Sequence, residues 1–150
     1  MIHGQILMFY RYPGASPNAM AISKEELDSI SKAALKEEEG HISVRTSKEE
    51  TEIIEVLLGM SPGELGDTMV KFVKGYENCG SCGRLYSFLD IINTGLGVHS
   101  KQFLHDVLSG RYGCLMNYTP PQVHRCYTCD KPSPAKSLCY HGPTYGCGCQ

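Results

Sequence analysis

Leu27, Ile30 and Ala34 recur at helical spacing behind Ser23-Lys24-Glu25-Glu26. That tetrapeptide is a capping box: the Ser oxygen can accept the third helical N–H while the Glu reaches back. Ile22 before the cap and Leu27 after it suit a hydrophobic staple, and the pattern predicts a helix that runs to a left-handed stop at Gly40. His41-Ile42-Ser43-Val44-Arg45 alternates and predicts a strand. Ser47-Lys48-Glu49-Glu50 repeats the capping box, and Ile53, Ile54, Leu57 and Leu58 give the helix behind it one apolar stripe, closed by Gly59.

Ser61-Pro62-Gly63-Glu64 reads as a third helix start, with Pro at a position whose N–H is free anyway. Leu65, Met69, Phe72 and Val73 then share a helical face, although Met69 to Val73 alone also suits a strand. Helix is the favoured reading, and with the helix before it forms an αα-hairpin; two cations, Lys71 and Lys74, are too few for a DNA-reading helix-turn-helix. Leu85, Phe88, Leu89 and Ile92 predict a helix after Gly83, and Phe103, Leu104, Val107 and Leu108 one that ends at Gly110. At the other end, Gly4 to Tyr12 is rich in β-formers and is punctuated by Pro13-Gly14 and Pro17-Asn18, which predicts an N-terminal strand.

From Tyr112 the texture changes. Residues 112–150 hold six cysteines, five prolines and four glycines among few aliphatics. Such a stretch buries too little apolar surface to order itself, and a tetrahedral metal is the usual remedy in loop-rich modules. The expected fold class is α+β: an N-terminal strand and helical body over residues 1–75, then a loop-rich, zinc-stabilised Cys/His module over residues 76–150, together one compact unit.

Composition narrows the class further. Apolar residues make up 41% of the 150 positions and net charge is −2, which suits a globular chain rather than a disordered one. No apolar run approaches the roughly 20 residues that span a bilayer, and the start lacks the features of a secretory signal. A cytoplasmic setting without membrane association is therefore expected, where thiols serve as metal ligands or redox centres more often than as crosslinks. In a secreted chain the eight cysteines would pair as disulfides instead. Residues 1–75 carry eight Lys/Arg against twelve Asp/Glu, and residues 76–150 six against four. A local excess of two cations is far from the strongly basic face of a DNA-binding domain.

Cys79-Gly80-Ser81-Cys82 and Cys126-Tyr127-Thr128-Cys129 are two C-x2-C units separated by 43 residues. Two residues between thiolates let both sulfurs reach one ion while turn N–H groups point at them. The two units can complete one four-cysteine site, with Cys139, His141, Cys147 and Cys149 forming a second set. Cys126 and Cys129 can equally join Cys147 and Cys149, leaving Cys79 and Cys82 to find partners among His99, His105 and Cys114. Spacing does not choose between these partitions, so the expectation is one or two structural Zn2+ ions. A catalytic zinc would need an open position, which this wealth of thiols argues against.

The stretch HRCYTC followed by TYGCGCQ, with CGSC in mid-chain, resembles the zinc-binding replicase cofactor of coronaviruses and their relatives. The resemblance covers the C-terminal finger and the C-x2-C layout; residues 1–75 match poorly, and an insertion carrying Cys139 and His141 interrupts the finger. It implies one zinc shared by Cys126, Cys129, Cys147 and Cys149, another that uses Cys79 and Cys82, and a non-enzymatic protein that activates partner enzymes and touches RNA.

The expected function is thus a non-enzymatic, zinc-stabilised binding or cofactor protein with a protein partner, and with weak contact to RNA or single-stranded nucleic acid. Arg84, Arg125, Lys131 and Lys136 would form a cationic edge, with Tyr127, Tyr140 and Tyr145 for stacking. The alternative is a thiol–disulfide oxidoreductase. In that reading Cys79-Gly80-Ser81-Cys82 stands at a helix N-terminus that depresses the pKa of Cys79, in a thioredoxin-like domain where Thr119-Pro120-Pro121 supplies a cis-proline segment. No nucleophile elbow or phosphate-binding loop is present, and the acidic runs Glu37-Glu38-Glu39 and Glu49-Glu50 suit solvated helix faces.

Overall fold

The computed structural model describes residues 22–111, 115, 119 and 122–139; the predicted strand at Gly4 to Tyr12 lies outside them. In chain order the described elements are α1 (Lys24–Ala33), β1 (Leu35–Glu38), β2 (His41–Arg45), α2 (Lys48–Leu58), β3 (Met69–Val73), α3 (Phe88–Leu96), α4 (Lys101–Leu108), β4 (Val123–Arg125), β5 (Pro132–Pro134) and β6 (Ser137–Cys139). The class is α+β, as expected. Among the described residues no helix is long and apolar enough to cross a membrane.

The serine half of both predicted capping boxes forms, while the Glu50 carboxylate accepts the Leu89 N–H instead of reaching back. Ser23 Oγ accepts the Glu26 N–H at 3.0 Å, and Ser47 Oγ accepts the Glu50 N–H at 3.1 Å. Gly59 closes α2 in the left-handed region at φ +70°, which L side chains rarely adopt.

Two elements differ from the sequence reading. The first helix stops at Ala33, because Leu35 to Glu38 pairs antiparallel with His41 to Val44 and the chain reverses at Glu39-Gly40 between them. Gly40 is left-handed, at φ +76°, but it serves a hairpin turn. The second difference is β3, where a helix and an αα-hairpin were expected. Gly63, at φ +86°, breaks the helix that Ser61-Pro62 would start. The local contact of that start survives, since Glu64 Oε1 accepts the Ser61 N–H at 2.8 Å. The β-branched run at Met69 to Val73 then pairs with β2, Ile42 opposite Phe72 and Val44 opposite Val70.

The strands order β1-β2-β3-β6, all antiparallel, and β4 and β5 form a separate hairpin. Alternation decides the faces. Ile42, Val44, Val70 and Phe72 enter the core, while Lys71 and Glu38 pair at 3.6 Å on the other side of the sheet. Helix α1 packs on β2, the helices α2, α3 and α4 pack on one another, and α3 packs on β4. The buried apolar cluster runs from Leu27 through Phe72, Phe88 and Ile92 to Cys126, Tyr127 and Ala135. The cysteine-bearing loops therefore sit against the same core as the sheet.

Candidate metal centre

Asn78 and Leu85 form a short antiparallel bridge, and Cys79 to Arg84 doubles back between them. The Cys79 N–H donates to the Arg84 carbonyl at 2.9 Å, and the Gly83 N–H donates back to the Cys79 carbonyl at 2.9 Å. The second unit repeats this pattern residue for residue. The Cys126 N–H donates to the Lys131 carbonyl at 3.2 Å and the Asp130 N–H to the Cys126 carbonyl at 2.8 Å. Asp130 stands where Gly83 does and is also left-handed, at φ +59°; Asp tolerates that region better than most residues.

These turns aim the sulfurs. The N–H groups of Ser81 and Cys82 lie 3.4 and 3.5 Å from Cys79 Sγ. Across the two units Cys79 Sγ lies 3.7 Å from Cys129 Sγ, and Cys82 Sγ lies 3.7 Å from Cys126 Sγ. All four sulfurs are within 4.8 Å of one another, a grouping that could hold a metal ion. Bonds of about 2.3 Å from a tetrahedral ion to sulfur imply sulfur–sulfur edges of about 3.8 Å, so the cluster has the right size. A disulfide would need about 2.05 Å, and the four are free thiols.

Cys79 is 3% exposed and Cys126 0%, whereas Cys82 and Cys129 are half-buried. Burial pushes the Cys79 thiol up, but the N–H groups of Cys82 and Ser81, with Cys129, outweigh it and bring the pKa down to about 7. Burial holds the Cys126 and Cys129 thiols above their ordinary value. Thiols of that kind release their protons to a metal rather than to water.

Helix α3 holds the second unit in place. Asp90 Oδ1 accepts the Tyr127 N–H at 2.8 Å, and Asp90 Oδ2 accepts the Ser87 N–H at 2.7 Å. Asn93 Nδ2 donates to the carbonyls of Arg125 and Cys126 at 2.9 and 3.2 Å, and Thr94 Oγ1 accepts the Arg125 N–H at 2.9 Å. The hairpin β4–β5 closes on the first unit through Ser133, whose Oγ accepts the Gly80 N–H at 3.2 Å.

Arg84 lies beneath the cluster, 1% exposed. Its guanidinium pairs with Asp90, donates to the Leu85 carbonyl at 2.8 Å, and reaches Cys126 Sγ at 3.5 Å. Burial works against its charge, but Asp90 and Cys126 more than restore it.

Of the predicted ligands, the structure brings Cys79, Cys82, Cys126 and Cys129 together, and so builds the partition that joins the two C-x2-C units. It does not build the division implied by the coronavirus resemblance, because the chain between the units folds back and seats them face to face. Cys139 ends β6; its side chain, with His141, Cys147, Cys149 and Cys114, lies outside the described residues. His99 stacks on Phe103 at 4.6 Å and His105 bonds Glu64 at 2.9 Å, both away from the cluster.

The cationic edge needs correction. Arg84 and Tyr127 are interior, and Arg125 pairs with Asp130 at 2.9 Å. Lys131 and Lys136 remain on the surface, Lys136 at 4.9 Å from the centre of the Tyr76 ring. Among the described residues the helix-N-terminus placement that the oxidoreductase reading needs does not form: Cys79 and Cys82 occupy a turn five residues and more before α3, and the buried member is Cys79. Pro120 and Pro121 lie outside the described residues.

Sequence reading missed Asp90, Asn93 and Thr94. A signal existed, since they form a polar stripe at i, i+3 and i+4 on the otherwise apolar helix FLDIINTGL.

Comparison with curated proteins and with solved structures finds no match. A family model described as "Domain of unknown function (DUF8243)" matches residues 14–146; this span takes in most of the chain and both C-x2-C units, and the protein belongs to that family.

Proposed function

We propose that the four cysteines hold a structural zinc ion, and that the protein is a non-enzymatic, zinc-stabilised binding module for a protein partner. The carrying observation is the sulfur geometry: two matching turns bring four thiols within 4.8 Å of one another, with both of the close pairs across the turns at 3.7 Å, near the edge of a zinc tetrathiolate. A four-thiolate set leaves no open coordination position, so the ion would act on folding rather than on a substrate. The thiol–disulfide alternative has less support, because Cys79 Sγ also meets Cys129 Sγ of the other unit at 3.7 Å, which a resolving partner in its own turn would not require.

Native mass spectrometry with elemental analysis, on protein purified without added zinc, tests the reading. One zinc per chain is expected from this cluster, with a second compatible with the C-terminal residues. Metal-free protein with a reactive Cys79–Cys82 pair would overturn it in favour of redox chemistry, and stoichiometric iron would overturn the choice of metal.

A further inference from the structure

We propose that Arg84 is a charge-positioning residue of the metal centre: Asp90 holds it so that its guanidinium faces the Cys126 sulfur and sets the affinity and electronic character of the bound ion. This inference rests on the structural-metal reading above.

The two turns are matched in backbone, and Arg84 and Lys131 occupy equivalent places in them, each accepting the N–H of its first cysteine. Their side chains diverge. Lys131 is exposed. Arg84 instead turns under its own turn and crosses to the sulfur of the other one, with Nη2 at 3.5 Å from Cys126 Sγ. It is among the largest fully buried side chains of the protein.

Nothing in ordinary packing calls for a guanidinium there. A buried ion pair seldom stabilises a fold more than apolar residues of the same volume. A divalent ion with four thiolates, however, carries a formal net charge of −2, and a low-dielectric surrounding makes that charge expensive to bury. The Asp90 carboxylate spreads its own charge over two backbone N–H donors, those of Ser87 and Tyr127. The cationic side of the pair is thus left directed at the cluster. Arg84 Nε has no hydrogen-bond partner, so the side chain is not placed to satisfy all its donors; Nη2 is placed between the Asp90 carboxylate and the sulfur.

Two consequences follow that a merely structural arginine would not produce. Removing the charge weakens metal binding, by about 10- to 100-fold for an outer-shell partner of this type. It also raises the energy of the sulfur lone pairs, so sulfur-to-metal charge transfer moves to lower energy.

The test uses the full chain loaded with Co2+, read by its sulfur-to-cobalt absorption, together with zinc competition against a chromophoric chelator. In Arg84→Met the charge-transfer band is expected at lower energy and zinc affinity falls about 10-fold or more. Lys131→Met, the matched change on the exposed cation, leaves both readings at wild-type values. Should Arg84→Met fail to fold, Asp90→Asn carries the test: an arginine relieved of its carboxylate acts harder on the sulfur, and the band moves to higher energy. Wild-type band and affinity in Arg84→Met, an unmoved band in Asp90→Asn, or equal losses in Lys131→Met and Arg84→Met would overturn the inference. Failure of the wild-type chain to bind any metal would overturn the structural-metal reading with it, so the two failures are told apart by wild-type stoichiometry.

Discussion

The sheet-and-helix region and the cysteine-tied region are held by different forces. In α2 and β2–β3, Ile54, Leu57, Val44, Val70 and Phe72 are fully or almost fully buried, and each such aliphatic or aromatic side chain contributes roughly 1.5–3 kcal/mol by leaving water. Strands β4 and β5 are three residues each, and two of the six positions are Pro132 and Pro134. That hairpin and its turn depend on hydrogen bonds accepted by Asp90 and Thr94 and donated by Asn93 and Gly80, and on the four sulfurs. A region rich in apolar residues orders through burial, whereas one poor in them needs a point of strong attachment.

On the proposed zinc reading, the largest break should come from the metal. Cys126→Ser, or a chelator, removes a large part of an attachment of about 10–16 kcal/mol. Amide hydrogen exchange should then show β4 and β5 losing protection while α2 and β3 retain theirs. Equal loss in both would mean the two regions form one cooperative unit.

Phe72→Ala tests the other side, with an expected loss of about 3–5 kcal/mol from a cavity in the core. Denaturant melts with and without chelator should show a loss of this size in both conditions, with zinc stoichiometry unchanged. A changed stoichiometry would tie the sheet to the metal site more closely than the packing implies.

Each region also buries one group that titrates against it, and the signs are opposite. Burial lowers the His124 pKa from 6.5 to about 4. The unfolded chain then takes up the proton first, so stability is lost as pH falls through that window, by an amount of the order of 3 kcal/mol. Burial raises the Glu50 pKa from 4.5 to about 7. Here the folded chain holds the proton longer, so stability is lost as pH rises through that window, again by of the order of 3 kcal/mol. Relative to wild type, His124→Gln should gain stability between pH 7 and pH 4.5, and Glu50→Gln should gain between pH 5 and pH 8. Because acid-driven metal loss is common to each pair, the difference between melts isolates the titration; parallel curves would remove the assigned group.

The smallest effect lies at a surface cap. Ser47→Ala removes the acceptor for the Glu50 N–H and should cost about 1 kcal/mol, read as a small shift in the denaturant midpoint with unchanged metal content. A loss several times larger would show that the cap also places the Glu50 carboxylate, which accepts the Leu89 N–H at 2.7 Å.

Local chemistry was legible in the sequence. The serine caps at Ser23 and Ser47 and the stop at Gly59 depend on neighbours within about four residues and formed as read, and the strand at His41 to Arg45 was marked by its own alternation. The C-x2-C turns are local too, since their hydrogen bonds close within six residues. Met69 to Val73 was ambiguous because a short apolar run suits either period, and its pairing with β2 settled the matter. Gly40 could end a helix or turn a hairpin, and only the partner strand distinguished them. Which two pairs of thiols meet depends on how the 43 residues between them fold back, and spacing carries no such information. Arg84 shows the limit most plainly. A charged residue beside a cysteine turn reads as surface from composition alone, and its burial beneath the sulfurs required Asp90, six residues on, to arrive on a helix packed against the opposite turn.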